Sequence, residues 1–288
     1  MATRVAVRKT HKLYISGAFV RSESSRMFPL SSHGQVFQIA RASRKDVRDA
    51  VRAARTAWPS WRDRSAYNRG QIVYRLAEII ESRRDQFVDT LRVTGSALGA
   101  AEKEVSAAID RIVWYAGWCD KIEQLLSTKN PVGLSHFNVS SPEPTGVVGS
   151  VVPLEPGLIA LISALVPVVC GGNCAVVIAS DREPLSAVAF AEAIATADVP
   201  AGVVNILTGY RPETVPTLAG HMDVNALDLW IADEAQDAAA AQLACNNVKR
   251  VRRHGEPPNR FWYTGGAQGP EWIEAFMEIK TVWHPAGV

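Results

Sequence analysis

The sequence has no apolar run long enough to cross a bilayer. The longest, Gly157 to Cys170, is interrupted by Pro167 and followed by Gly171 and Gly172, and reads as a buried helix. Net charge is nearly absent, +2 over 288 residues, which excludes the strongly basic surface that nucleic acid or an anionic membrane demands. Cysteine is scarce: Cys119, Cys170, Cys174 and Cys245 show no framework spacing and suit a reducing cytoplasm. The C-x3-C of Cys170 and Cys174 lacks further Cys or His partners, so a buried structural role is expected there rather than zinc. Met1 to Thr10 carries Arg4, Arg8 and Lys9 with no apolar core behind them, so no secretory signal is expected. There is no G-x-G-x-x-G motif, no internal repeat of fixed period and no low-complexity linker.

What is present is the balance of a globular protein, 47% apolar and 21% charged. Lys12-Leu13-Tyr14-Ile15 and Phe19-Val20 flank the turn pair Ser16-Gly17, a hairpin pattern. Ser43 stands as an N-cap before Val47, Ala50, Val51 and Ala54 at helical spacing. Ile72, Leu76, Ile79 and Ile80 mark a second helix. Val105, Ile109, Ile112, Val113 and Ile122 predict a third from about Glu102 to Leu126. From Gly146 onward, strands at Val147–Val152, Ala175–Ala179, Val203–Leu207 and Ala226–Trp230 alternate with helices, and Val248–Val251 offers one more strand. Continuous Val/Ile strands alternating with helices imply an α/β fold with a doubly wound, Rossmann-like parallel sheet. His254 to Gln268, rich in Gly, Pro and polar residues, reads as a loop. Lys249-Arg250, Arg252-Arg253 and His254 form the basic cluster. Without interleaved aromatics it reads as a solvated sheet edge or a contact with an acidic partner, not a nucleic-acid site.

Several segments, in order, resemble the aldehyde dehydrogenase superfamily. Lys12-Leu13-Tyr14-Ile15-Ser16-Gly17 is similar to its opening strand, and Tyr115-Ala116-Gly117-Trp118 to the end of its long helix. Ser140-Ser141-Pro142-Glu143-Pro144-Thr145-Gly146-Val147-Val148-Gly149 resembles the outgoing arm of its oligomerisation hairpin. Pro200-Ala201-Gly202-Val203-Val204-Asn205-Ile206 and Asn247-Val248-Lys249-Arg250-Val251 resemble two cofactor-domain strands, and Glu278-Ile279-Lys280-Thr281-Val282-Trp283 the C-terminal strand. The resemblance implies a cofactor-type domain over 1–134 and 146–260 with N-terminal helices, and an oligomerisation element of 135–145 and 270–288. It also implies that the family's catalytic domain is missing near 254–268.

Aldehyde oxidation of this kind requires a thiolate nucleophile, oxyanion donors, a general base and a nicotinamide. The resemblance places the nucleophilic cysteine in the missing domain. The oxyanion asparagine falls in Pro153-Leu154-Glu155-Pro156, where Glu155 opposes the developing charge, and the general-base glutamate falls on His254, which reads as a surface histidine. The family's second-strand lysine falls on Ile178, and the acid three positions on survives as Asp181. The Gly-Ser opening of the cofactor helix falls on Ile231-Ala232, between Trp230 and Asp233-Glu234. At most weak NAD or NADP binding is then expected, through vestigial positions at Pro153, Asp181 and Gly209, and no catalysis.

The expected role is that of a non-catalytic subunit. Its partner would be a full-length active aldehyde dehydrogenase, or a second copy of the chain, docked through the hairpin 135–149 and the strand 279–283. Three other readings stay open at this point: a nucleotide-like ligand module lined by Glu155, Asp181, Trp230 and His254, an NAD(P)-linked oxidoreductase implied by the family resemblance alone, and an enzyme of new chemistry using Glu155 and His254.

Overall fold

The computed structural model describes residues 9–133 and 135–285. The expectation about a secretory signal and the outermost limits of the implied units, 1–8 and 286–288, therefore lie essentially outside the described residues. After β1 (Thr10–His11), β2 (Leu13–Ile15) and β3 (Ala18–Val20) form the expected hairpin. Its turn residues Ser16 and Gly17 both have positive φ, 53° and 77°, as a two-residue hairpin of matching twist requires. A second hairpin joins β4 (Met27–Ser32) to β5 (Gln35–Ala40) through His33-Gly34, again with both φ positive. Sequence reading passed it over because its polar Ser31-Ser32-His33 stretch carries no strand signal.

Helices α1 (Arg44–Arg62), α2 (Ala66–Ser82), α3 (Arg84–Val93), α4 (Leu98–Ala116) and α5 (Ile122–Leu126) follow. Ser43 caps α1 in a reciprocal box with Asp46, whose carboxylate also accepts from Ser22 Oγ at 2.7 Å and so ties the helix to the N-terminal strands. The expected single helix over 102–126 is two: α4 starts earlier and ends before Gly117, whose amide donates back to Val113 and Tyr115 carbonyls. Val113, within α4, is exposed, while Val105, Ile109 and Ile112 face the core.

Short β6 (Thr128–Asn130) and long β7 (His136–Pro144) lead into the alternating half of the chain. This comprises β8 (Val147–Val151), α6 (Ile159–Cys170), β9 (Cys174–Ile178), α7 (Pro184–Ile194), β10 (Val204–Leu207), α8 (Arg211–Ala219), β11 (Ala226–Leu229), α9 (Glu234–Ala244) and β12 (Arg250–Arg253). The seven-stranded sheet runs β12-β11-β8-β9-β10-β2-β3, its first five strands parallel and the β2–β3 hairpin antiparallel at one edge. This is the expected doubly wound α/β fold. Every residue of α6, β8, β9, β10 and β11 is buried, as strands and a helix covered on all sides must be. The last strand begins at Arg250 rather than Val248, which adopts a left-handed φ of 55° and is 93% exposed. Among the described residues no helix is long and apolar enough to cross a membrane.

The stretch after β12 is not a free loop. It makes 3-10 turns over Asn259–Tyr263 and Gly265–Ala267 before α10 (Glu271–Glu274) and β13 (Met277–Pro285). The buried guanidinium of Arg111, on α4, holds it: Nη2 donates to Trp262 O at 2.7 Å, Nη1 to Ala267 O and Ser163 Oγ, and Nε to Gln268 Oε1 at 2.9 Å. Trp262 packs beneath, itself buried. Strand β13 then pairs antiparallel with β7 from Met277↔Pro144 to Pro285↔His136, giving a separate sheet β13-β7-β6.

Truncating Arg111 leaves several buried acceptors unpaired, each costing about 1–3 kcal/mol. Arg111→Ala should therefore lower unfolding free energy by at least ~3 kcal/mol in urea titration and open the chain to trypsin at Arg260. An unchanged midpoint with Arg260 still protected would show that the guanidinium does not anchor this segment.

Candidate functional site

Ligand crevices in doubly wound sheets form at the carboxyl ends of the strands, where the strand order reverses. Here that point lies between β8 and β11. It is spanned by Arg211, the first residue of α8: Nη1 donates to Trp230 O at 3.2 Å and Nη2 to Val152 O, so the guanidinium ties the two strand ends together. Arg211 is buried, and desolvation lowers its pKa against the pull of the Glu256 and Asp181 carboxylates. Glu256 closes the same place from the other side by accepting from the Leu154 amide. A cation at a helix N-terminus opposes the helix dipole, and that misfit is the signal by which the sequence could have pointed to Arg211.

The helix N-termini flanking the crevice are already capped. The Asp233 carboxylate accepts from Ala235 N and Gln236 N at 2.9 and 3.0 Å at the start of α9. Glu104, reaching across from α4, accepts from Leu158 N and Ile159 N at 2.8 and 3.1 Å at the start of α6. Burial raises the Glu104 pKa while these two amides lower it. Nothing local in the sequence marks Glu104, because the helix it caps begins more than fifty residues later.

Each expected site residue can be placed. Pro153 is buried after β8, and Ile178 is the buried last residue of β9. Asp181 is half-buried beside Ser180, whose hydroxyl donates to Leu154 O at 2.7 Å and accepts from the Arg182 and Glu183 amides. Gly209 has φ +147° and lies so close to the chain at Ala42 that a Cβ would sit 3.0 Å from its amide nitrogen. Glu155 reaches outward to Arg182 at 3.4 Å. His254 is not a surface residue: Nε2 meets Asp228 Oδ1 at 2.8 Å, and its ring stacks on Trp230 with centroids 3.9 Å apart. Asp228, nearly inaccessible, also accepts from Trp230 Nε1 at 2.8 Å. Trp262 and Trp272 close over Trp230 at 5.0 and 5.6 Å. The segment after β12 thus buries the histidine that sequence reading left outside. Glu155 and His254 have different partners and do not form a pair.

The basic cluster is partly internal. Lys249, 8% exposed, donates to Ala219 O and His221 O at the end of α8, and burial pushes its pKa down to about 8. Arg250 bonds Ala275 O and Met277 O, and Arg253 pairs with Asp237 at 2.6 Å. At this edge strand Lys249 and Arg250 are taken up within the fold, whereas Arg252 and Arg253 stay exposed, as a solvated sheet edge would leave them. Cys170 and Cys174 are buried, as expected. Among the described residues no group of three His, Cys, Asp or Glu is placed to hold a metal.

Residues 19–252 match the profile of the aldehyde dehydrogenase family. The chain is 32% identical to cytosolic aldehyde dehydrogenase 1 of Elephantulus edwardii over 262 residues, covering 86% of the chain and 50% of that relative. It is 30% identical to retinal dehydrogenase 2 of Homo sapiens, covering 87% and 50%. Among solved structures, a putative aldehyde dehydrogenase from Burkholderia cenocepacia superposes with a TM-score of 0.80 at 29% identity, over 84% of this chain and 50% of that one. PnpE in complex with nicotinamide adenine dinucleotide does so with a TM-score of 0.80 at 28% identity, over 84% and 50%. The chain spans about half the length of the curated relatives it matches.

Near the α6 N-terminus, burial and the neighbouring Glu104 and Glu155 carboxylates push the Glu183 pKa from 4.5 up to about 7. A pKa raised in the folded state means that the folded form binds the extra proton, so this group's contribution is complete below about 4.5 and is lost as pH rises through about 7. Glu183→Gln should therefore raise the melting temperature more at pH 8 than at pH 5. Equal gains at both pH values would contradict the assignment.

Proposed function

Since the chain belongs to the aldehyde dehydrogenase family, we propose that it acts as a non-catalytic subunit, assembling with an active aldehyde dehydrogenase as a structural or regulatory partner. The observation that carries this reading is the sheet β13-β7-β6, held in register over nine residue pairs with its long strand β13 at the outer edge. Phe137, Val139, Val282, Ile279 and Trp283 are all exposed on this sheet. An edge strand with open hydrogen-bonding groups and apolar side chains is a template for pairing with another chain.

The crevice supports the same reading by what fills it. A dinucleotide pyrophosphate needs free amides at a helix N-terminus. Here Asp233 and Glu104 occupy those of α9 and α6, and Arg211 bridges the strands between. The residues present do not fit the cofactor. Nor do they fit the chemistry: burial pushes the Cys174 thiol up to about 12 and raises Cys170 well above its ordinary value, so neither offers a thiolate. Glu155 stands where the resemblance calls for an oxyanion donor. The burial of Trp230 and His254 beneath Trp262 and Trp272 counts against a ligand module at that place.

Light scattering of the chain alone and co-expressed with a full-length aldehyde dehydrogenase from the same source should give a stable mixed complex. Trp283→Glu, a change at an exposed position, should weaken that complex at least ~10-fold without altering the melting temperature. A homo-oligomer indifferent to the active enzyme would overturn the proposal.

A further inference from the structure

Two thiols that sequence reading treated as unrelated meet in the fold. Cys119 lies in the turn after α4, and Cys170 is the last residue of α6. Both donate to a single acceptor, Tyr115 O, at 3.6 and 3.5 Å, so the shared carbonyl brings the two thiols to one place. Their convergence follows from packing: α4 lies along α6, and Gly117 ends α4 so that the chain turns Cys119 back toward it.

The surroundings give this pair both a charge and an approach. Arg69 sits against it, with Nε donating to Cys170 O at 3.4 Å and Nη1 to Arg64 O at 2.6 Å; burial and the neighbouring Cys119 raise the Cys170 pKa, and the guanidinium opposes that rise. A cavity of about 600 Å³, lined by Cys119, Arg62, Arg64, Arg69 and by Met277 and Lys280 of β13, leads to Cys119. Cys170 does not line it. Of the other two thiols, Cys174 is buried near Arg55 and Cys245 is exposed after the end of α9, donating to Ala241 O.

We propose that Cys119 and Cys170 form an oxidisable dithiol, closed to a disulfide by hydrogen peroxide or a small organic hydroperoxide entering through this cavity. The Cys119 thiolate attacks the peroxide oxygen; a sulfur–oxygen bond forms, the oxygen–oxygen bond breaks, and the leaving oxygen departs as water or alcohol after taking a proton. Cys170 then attacks the sulfenic sulfur as its thiol proton passes to the departing hydroxyl, forming the sulfur–sulfur bond, breaking the sulfur–oxygen bond and releasing water. Two thiols lose two protons and two electrons, and the peroxide is reduced by two electrons. The bond would tie the end of α4 to the end of α6 beside the base of β7 and β13, so the sheet read above as a docking element shares a wall with a redox-sensitive site. The dithiol itself does not depend on that reading.

The test uses the full chain carrying Cys245→Ser, which removes the exposed thiol, treated with a small excess of hydrogen peroxide. Free thiols are counted after denaturation, and disulfides are mapped by mass spectrometry of peptides. The expected result is loss of two of the remaining three thiols and one Cys119–Cys170 cross-linked peptide, reversed by dithiothreitol. In the Cys170→Ser variant, dimedone should label Cys119; in Cys119→Ser it should leave Cys170 unlabelled. Three thiols still free after treatment would overturn the proposal, as would a cross-link joining Cys170 to Cys174.

Discussion

One buried cation decides what the centre of this molecule can be. Arg211 sits where the doubly wound sheet reverses its strand order, donating to carbonyls at the ends of both flanking strands. A guanidinium taken out of water is costly unless its donors are met and opposite charge is near. Val152 O and Trp230 O take its Nη donors and the Glu256 and Asp181 carboxylates lend opposite charge, while Nε is buried without a partner. The two hydrogen bonds set this guanidinium across the place where folds of this kind ordinarily bind a ligand. Asp233 and Glu104 extend the same closure to the two helix N-termini beside it.

A second buried cation plays the corresponding part outside the sheet. Arg111 gathers the carbonyls of Trp262 and Ala267 and so folds the segment after β12 against α4 and α6. That anchoring places Trp262 and Trp272 over Trp230 and His254, and it delivers β13 to the outer edge of β7. The aromatic cover over Trp230 and the exposed sheet are thus two results of one arrangement. The chain after β12 turns inward over the crevice first, then outward along the hairpin strand.

Much of this was legible in the sequence, and the reason is local. The parallel strands announce themselves by continuous Val and Ile, α1 by Ser43 before an apolar repeat, and the first hairpin by Ser16-Gly17 between β-rich pieces. The resemblance to aldehyde dehydrogenases rested on such segments and agrees with the family to which the chain belongs. What stayed hidden depends on contacts distant in sequence. Glu104 caps a helix that begins at Ile159, Arg111 binds carbonyls over 150 residues away, and His254 is drawn inward by aromatics that follow it. Local periodicity carries no information about such pairings. The interruption of the long helix at Gly117 was overlooked because Ile122 falls back into phase with the stripe before it, although the turn between them is what brings Cys119 to Cys170.

If the chain's own side chains occupy the dinucleotide crevice as proposed, isothermal titration calorimetry of NAD and NADP into the purified chain should give no saturable heat for either nucleotide up to millimolar concentration. Stoichiometric binding of either with a micromolar dissociation constant would contradict it, and would mean that Arg211 and Glu256 yield to the cofactor rather than replace it.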